Sequence, residues 1–268
     1  MRMSISAKVW LLVLATLTPA VRAAADETTY CDRLIHAVPF TIASPGHYCL
    51  SRNIATSMTA GDAIKIDADF VWLDLNNFTL DGSSAGTAAD TTGVVAVGDH
   101  RNITVRNGVV KGFLNGINLN GNGSNYTVEN IWADANYVNG IAARGLGGGH
   151  VVRNNVVTNT GGTTLPEFTG GDPNAAIGIS VTGNSSILNN QVTHTFNHNL
   201  NGIALAFELD FEGDGQIAVN NRVVGSDNVG FVCGDGPTSH VFLRDNIVAD
   251  APQPYGSACN KIGSTNFP

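Results

Sequence analysis

The sequence predicts an all-β chain wound into a repetitive solenoid, and three observations carry that prediction. A phrase recurs: Leu114-Asn115-Gly116-Ile117 leads to Thr127-Val128-Glu129-Asn130-Ile131, and Val138-Asn139-Gly140-Ile141 leads to Val151-Val152-Arg153-Asn154-Asn155-Val156. The composition suits it, because 43% hydrophobic residues suffice for a continuous core while 13% charged residues and 31 glycines disfavour long surface helices and favour turns. The third observation is a period. Asn77, Asn107, Asn130, Asn154, Asn190 and Asn221, with Asp245 in the seventh copy, recur at spacings of 30, 23, 24, 36, 31 and 24 residues, which is a base unit of 23 or 24 with three insertions.

A second series keeps step with the first: Gly93, Gly116, Gly140, Gly178, Gly202 and Gly230, each followed by Val, Ile or Phe. Such a unit fits a coil of three short strands separated by turns. Stacked coils lie about 4.8 Å apart, so each Asn amide is expected to donate to the next in a buried ladder. Asn and Gly both tolerate left-handed backbone at the corners, and both series therefore read as structural.

The stretch Val71-Trp72-Leu73-Asp74-Leu75-Asn76-Asn77-Phe78-Thr79-Leu80-Asp81-Gly82, followed by the Gly-Ile and Asn series, resembles the right-handed parallel β-helix proteins of the pectin-lyase-like superfamily over about residues 60 to 250. The resemblance implies a single-stranded right-handed parallel β-helix of about seven to nine coils. It covers polysaccharide lyases, alginate epimerases, glycoside hydrolases and proteins without catalysis, so fold alone sets an expectation of carbohydrate chemistry and no more.

The ends read differently. Arg2 and Lys8, the apolar run Val9-Trp10-Leu11-Leu12-Val13-Leu14-Ala15 and the small residues of Val21-Arg22-Ala23 form a secretory signal over residues 1–23. The run is short of the ~20 residues a bilayer span needs. Removing 1–23 takes away Arg2, Lys8 and Arg22, moving the formal charge from −8 to −11. That balance opposes nucleic-acid binding, which rests on clustered Lys and Arg. Residues 24–60, with Pro39, Pro45 and Gly46, are expected to cap the helix of 61–250, and 251–268 to close it. All four cysteines fall in the exported part, where Cys31–Cys49 and Cys233–Cys259 close two short loops whereas the other pairings join opposite ends. No Cys-x-x-Cys spacing supports zinc.

The resemblance implies that a sugar polymer lies along one strand face and its loops. Here those are the Gly-Ile strands, in which Ile117, Ile141, Ile179 and Ile203 are expected to point inward and Asn118, Ala142, Ser180 and Ala204 outward. Flanking loops offer Asp134, Asn136 and Tyr137, the insertion Gly161 to Ala175 with Glu167 and Asp172, and His194, Phe196 and His198. A neutral imidazole can abstract a sugar-ring proton, and a neighbouring tyrosine or acid can return one, which is lyase or C5-epimerase chemistry. Arg144, the basic residue of the strip, or a bound cation would neutralise the C6 carboxylate. Alginate epimerases of this fold carry Asp-Pro-His-Asp, and this chain has Asp172-Pro173-Asn174-Ala175. That departure blocks transfer of their mechanism to these positions.

The acidic run Glu208, Asp210, Glu212 and Asp214 is a solvated loop, a Ca²⁺ site built from oxygen ligands, or, if Glu208 and Asp210 face the groove, a hydrolytic carboxylate pair. Trp72 and Trp132 read as packing residues, although an exposed Trp132 could stack on a sugar. The expectation is thus a secreted or periplasmic protein acting on a polysaccharide or oligosaccharide. A noncatalytic glycan-binding or envelope β-helix is the competing reading, and ice binding lacks the regular Thr-x-Thr rows it needs.

Overall fold

The structure, a computed structural model, describes residues 31–168, 176–197, 203–209, 214–234, 240–256 and 259. Among these residues the strands form two sheets with parallel pairings, one of nine strands and one of fifteen that bends into two halves. The chain visits three faces in each coil, and the fold is the parallel β-helix the repeat predicts. Face one is the nine-stranded sheet, which runs from Phe40–Ile42 through Ala60–Ile66, Asp90–Ala96, Asn115–Gly121, Asn139–Gly145, Ala176–Val181, Ala204–Leu209 and Val229–Cys233 to Gln253–Tyr255. Faces two and three are the halves of the larger sheet. Two strands, Arg101–Lys111 and Ser124–Asp134, run through both halves without interruption.

The bend between faces two and three explains the Asn series. Asn107, Asn130, Asn154, Asn189, Asn220 and Asp245 all hold positive φ between 54° and 57°, a left-handed conformation that Asn and Asp adopt at lower cost than other side chains. One residue further on, Asn155, Asn190, Asn221 and Asn246 are buried. Each of the first three donates Nδ2 to the Oδ1 of the next at 3.0 Å. The same amides also donate to the carbonyls of Val128, Val152 and Ile187. There are therefore two adjacent columns. The sequence alignment joined Asn154 of the outer column to Asn190 and Asn221 of the inner one, because Asn-Asn pairs at 154–155, 189–190 and 220–221 hide a shift of one residue.

The core is a stack of like side chains. Ile117, Ile141 and Ile179 are completely buried in one pairing column. The column continues as Phe207, Phe231 and Tyr255, whose rings stack at 4.5 and 5.6 Å between centroids. Gly140 marks the corner entering face one. A Cβ there would lie 2.5 Å from Val157 Cγ1 and 2.7 Å from the Gly178 carbonyl oxygen, so the position admits no side chain. The ends are stapled as the spacing predicts, by Cys31–Cys49 and Cys233–Cys259. Strand pairing passes the expected limits of the helix on both sides: Arg33–Ile35 already pairs with Gly46–Leu50, and Gln253–Tyr255 still pairs with Val229–Cys233. The capping segments continue the ladder because their backbone groups need partners as the core strands do. Residues 1–23 lie outside the described residues.

Candidate functional site

Alternation along face one separates a core column from a surface column. The residues after the buried column, namely Lys65, Val95, Asn118, Ala142, Ser180, Glu208 and Val232, pair with one another from coil to coil on the outward side. Asn118 and Ser180 stand where the sequence puts them. Ile203 and Ala204 do not. Phe207, not Ile203, pairs with Ile179, Ala206 stands beside Gly178 in the glycine column, and Ala204 is buried. Ile203 instead packs outside the core against Ile177 and Leu205. An Ala replaces Gly and a Phe replaces Ile in this coil, so the Asn201-Gly202-Ile203 phrase marks the wrong register, and Glu208 takes the outward place.

That shift brings Glu208 to Arg144. Arg144 lies at the far end of Asn139–Gly145, and its side chain reaches back along the strand, where Nη2 donates to Asn139 Oδ1 at 3.4 Å. Nε donates to Ser180 Oγ at 2.6 Å and Nη2 to Glu208 Oε2 at 2.8 Å. Ser180 donates its own proton to the same Glu208 oxygen at 2.6 Å. Asn139 in turn donates to Asn115 Oδ1 at 2.6 Å. Ala142 and Ser180 are 0% and 1% exposed beneath this layer, while the Arg144 and Glu208 side chains keep 30% and 19% of their surface in water. Charged hydrogen bonds of this length are the strong class. The result is a semi-buried cation with partners on three coils, set in a strip of amides and a hydroxyl.

A second chain of contacts spans the same three coils at the corner leading into face one. Asp134 Oδ1 accepts from Thr158 Oγ1 at 2.5 Å and from Asn159 Nδ2 at 2.9 Å. Asn159 Oδ1 faces His194 Nδ1 at 3.0 Å. An amide oxygen only accepts, so Nδ1 is the donor in this contact, and the neutral tautomer that fits it has its lone pair on Nε2. The exposed imidazole stacks on Phe196 at 5.2 Å. Asp134 precedes the strand of Arg144, Asn159 that of Ser180, and His194 that of Glu208. Tyr137 is half-buried in the turn after Asp134, where burial, and then the charge of Asp81, push its phenol above the usual range. Asn136 is structural: it is fully buried, accepts from the Phe113 N–H and donates to the Val110 carbonyl.

Glu167 lies in the short 3₁₀ turn Pro166–Phe168, on a segment anchored to an earlier coil by Thr164 N–H to the Thr87 carbonyl at 3.0 Å. His198, Asp172, Asp210 and Glu212 lie outside the described residues, as does the side chain of Asp214. The proposed Ca²⁺ ligands are therefore not seen together. Among the described residues no three His, Cys, Asp or Glu side chains form a metal-binding group, and no helix is long and apolar enough to cross a membrane. Sequence reasoning missed Asn115, Asn139 and Asn159, which looked like scaffold. Their only signal is position, on outward places of the rungs that carry Arg144 and His194.

Fold and site together define a parallel β-helix with a charged, amide-rich strip on one sheet. Comparison with protein-family models and with curated proteins gave no match. Similar solved structures include the A-module of the Azotobacter vinelandii mannuronan C-5 epimerase AlgE4, which is 13% identical, with 84% of each chain covered and a TM-score of 0.37. An alginate lyase from Paenibacillus sp. str. FPU-7 is 13% identical over 88% of this chain and 97% of that one, with a TM-score of 0.46. DFA-IIIase from Arthrobacter chlorophenolicus A6 is 11% identical over 83% and 76%, with a TM-score of 0.27.

Proposed function

We propose that the protein acts on an acidic polysaccharide laid along face one, as a lyase or C5-epimerase working by proton abstraction. The observation that carries this reading is the Arg144 guanidinium, held by Ser180, Glu208 and Asn139 while its Nη1 makes no hydrogen bond among the described residues. A uronate carboxylate meets that open edge. Removal of the C5 proton delocalises charge onto the carboxylate, and a fixed guanidinium beside it stabilises the developing anion. His194 Nε2 takes the proton. In a lyase the C5–H electron pair becomes the C4=C5 bond as the C4–O bond breaks, and the leaving oxygen takes a proton from Tyr137 or water. In an epimerase Tyr137 or water returns a proton to the opposite face of C5. Asn115, Asn118 and Asn139 supply hydroxyl partners along the polymer. The two disulfides fit an oxidising compartment, in keeping with a secreted or periplasmic protein.

The competing reading is a noncatalytic glycan-binding β-helix, favoured by the charge neutralisation that Glu208 already gives Arg144. Incubation of the full chain with polymannuronate, polygalacturonate and neutral glycans, with and without a chelator, separates the two. Ultraviolet-absorbing unsaturated ends are the expected product of a lyase, and solvent deuterium at C5 without chain cleavage that of an epimerase. Reducing ends alone would move the reading to a hydrolase. Binding without any product, or turnover unchanged in His194→Ala, would overturn the proton-abstraction mechanism.

A further inference from the structure

The outer side of face three carries a depression of about 300 Å³, at the small end of ligand-site volumes. Trp132 stands in it, 49% exposed, between Val109 and Val156 of the adjoining coils. Its indole N–H donates to Thr158 Oγ1 at 2.9 Å, and Thr158 is held in turn by Asp134. The ring is therefore fixed in orientation and its one donor is satisfied, yet its surface stays open to solvent. No charged side chain lines the depression among the described residues.

The outer Asn ladder runs along its rim and is interrupted there. Asn130 donates to Asn107 at 3.2 Å, Asn189 to Asn154 at 3.3 Å and Asn220 to Asn189 at 2.9 Å. Between Asn130 and Asn154 there is no such bond. Asn130 Oδ1 and Asn154 Nδ2, an acceptor and a donor on adjacent coils, make no hydrogen bond among the described residues, and both side chains are exposed and line the depression. The break thus coincides with the open indole.

We propose that Trp132, Asn130 and Asn154 form a binding subsite for a pyranose ring of a neutral glycan, separate from face one and independent of the function proposed for it. A sugar ring has an apolar C–H face and an edge of hydroxyls, and the depression has an aromatic and aliphatic floor with amides on its rim. The C–H face covers the indole. Of two vicinal hydroxyls, one donates to Asn130 Oδ1 and the other accepts from Asn154 Nδ2. The lack of a cation in the lining selects neutral sugars over uronates.

The test is binding of cellohexaose, mannohexaose and polymannuronate to the full chain, read as retention in glycan gels and as indole emission in a Trp10→Phe, Trp72→Phe background. The neutral ligands are expected to bind and to shift the Trp132 emission to the blue. Trp132→Ala should weaken binding roughly tenfold or more, and Trp132→Phe less. Asn154→Gly, which tolerates the positive φ while deleting the amide, should weaken it several-fold. Arg144→Ala should leave it unchanged. The subsite is overturned if no neutral glycan binds, if only polymannuronate binds, or if folded Trp132→Ala binds like the parent. Loss of binding in Arg144→Ala alone would also reject it while leaving the face-one reading intact.

Discussion

Arg144 and Glu208 form a 2.8 Å ion pair although their strands are not neighbours: Ala176–Val181 lies between them, and Ser180 on that strand bonds to both. The pair acts as a clamp across three coils. Truncating Glu208 to Ala leaves a half-buried guanidinium with one fewer anionic partner, and the expected loss of stability is about 1–3 kcal/mol. Urea unfolding of Glu208→Ala, Arg144→Met and the double variant measures it. The double variant should lose less than the two single losses together, because the second truncation removes a charge already stranded. Strict additivity would mean that the contact contributes no coupling.

Ala142 lies wholly buried on the outward column, among the groups that hold Arg144. A larger residue there must displace the guanidinium from Asn139 and Ser180. Ala142→Leu is expected to cost about 1–3 kcal/mol and to weaken uronate binding as severely as Arg144→Ala does. Binding affinities of the two variants, compared with equal far-ultraviolet spectra, check this. Normal uronate affinity in Ala142→Leu would show that the guanidinium position is not what the glycan reads.

The buried and exposed Asn columns should respond unequally to mutation. Asn190 accepts from the N–H and Nδ2 of Asn155 and donates to Val152 and Asn221, so Asn190→Ala strands several buried polar groups at once. A loss of about 3 kcal/mol or more follows. Asn189→Gly removes two partly solvated rungs, the bond to Asn154 and the bond from Asn220, and keeps the left-handed backbone, for a loss of about 1 kcal/mol or less. Thermal midpoints of the two variants test the ranking, and equal losses would contradict it.

Those columns also mark where sequence reading reached its limit. The repeat, the two disulfides and the inward Ile column were legible because period, short loop closure and alternation leave few choices. A shift of one residue inside an Asn-Asn pair was not, since both members satisfy the same pattern and only burial tells them apart. The coil of Glu208 was misregistered for a related reason: Ala206 and Phe207 do the work of Gly and Ile without looking like them. Arg144, Ser180 and His194 were singled out by their places in the strip and its loops, and Arg144 and Ser180 do bond to each other there. Their partners Asn139 and Asn159 were not: Asn139 belongs to the repeated phrase and reads as scaffold although it lies on the strand of Arg144, and the Asn159–His194 contact spans coils separated by an insertion of unpredictable length.

His150 is a buried base whose neutral form the fold requires. It is 1% exposed, its Nδ1 accepts from the Tyr126 N–H at 3.1 Å, its Nε2 donates to the Gly145 carbonyl at 2.7 Å, and its ring stacks on Tyr126 at 4.8 Å. Burial lowers its pKa below the ordinary 6.5, with the Gly145 hydrogen bond opposing the shift. The unfolded chain therefore binds this proton first as the pH falls. Stability is full above the unfolded value and is lost as the pH drops through 6.5 toward and past the folded value. The thermal midpoint should fall on acidification from about pH 7 to about pH 5. His150→Gln, uncharged throughout, should start less stable, for want of the stacked ring and its two bonds, and show a shallower slope over that range. A variant that keeps the full slope would assign the acid sensitivity to the chain's other titrating groups.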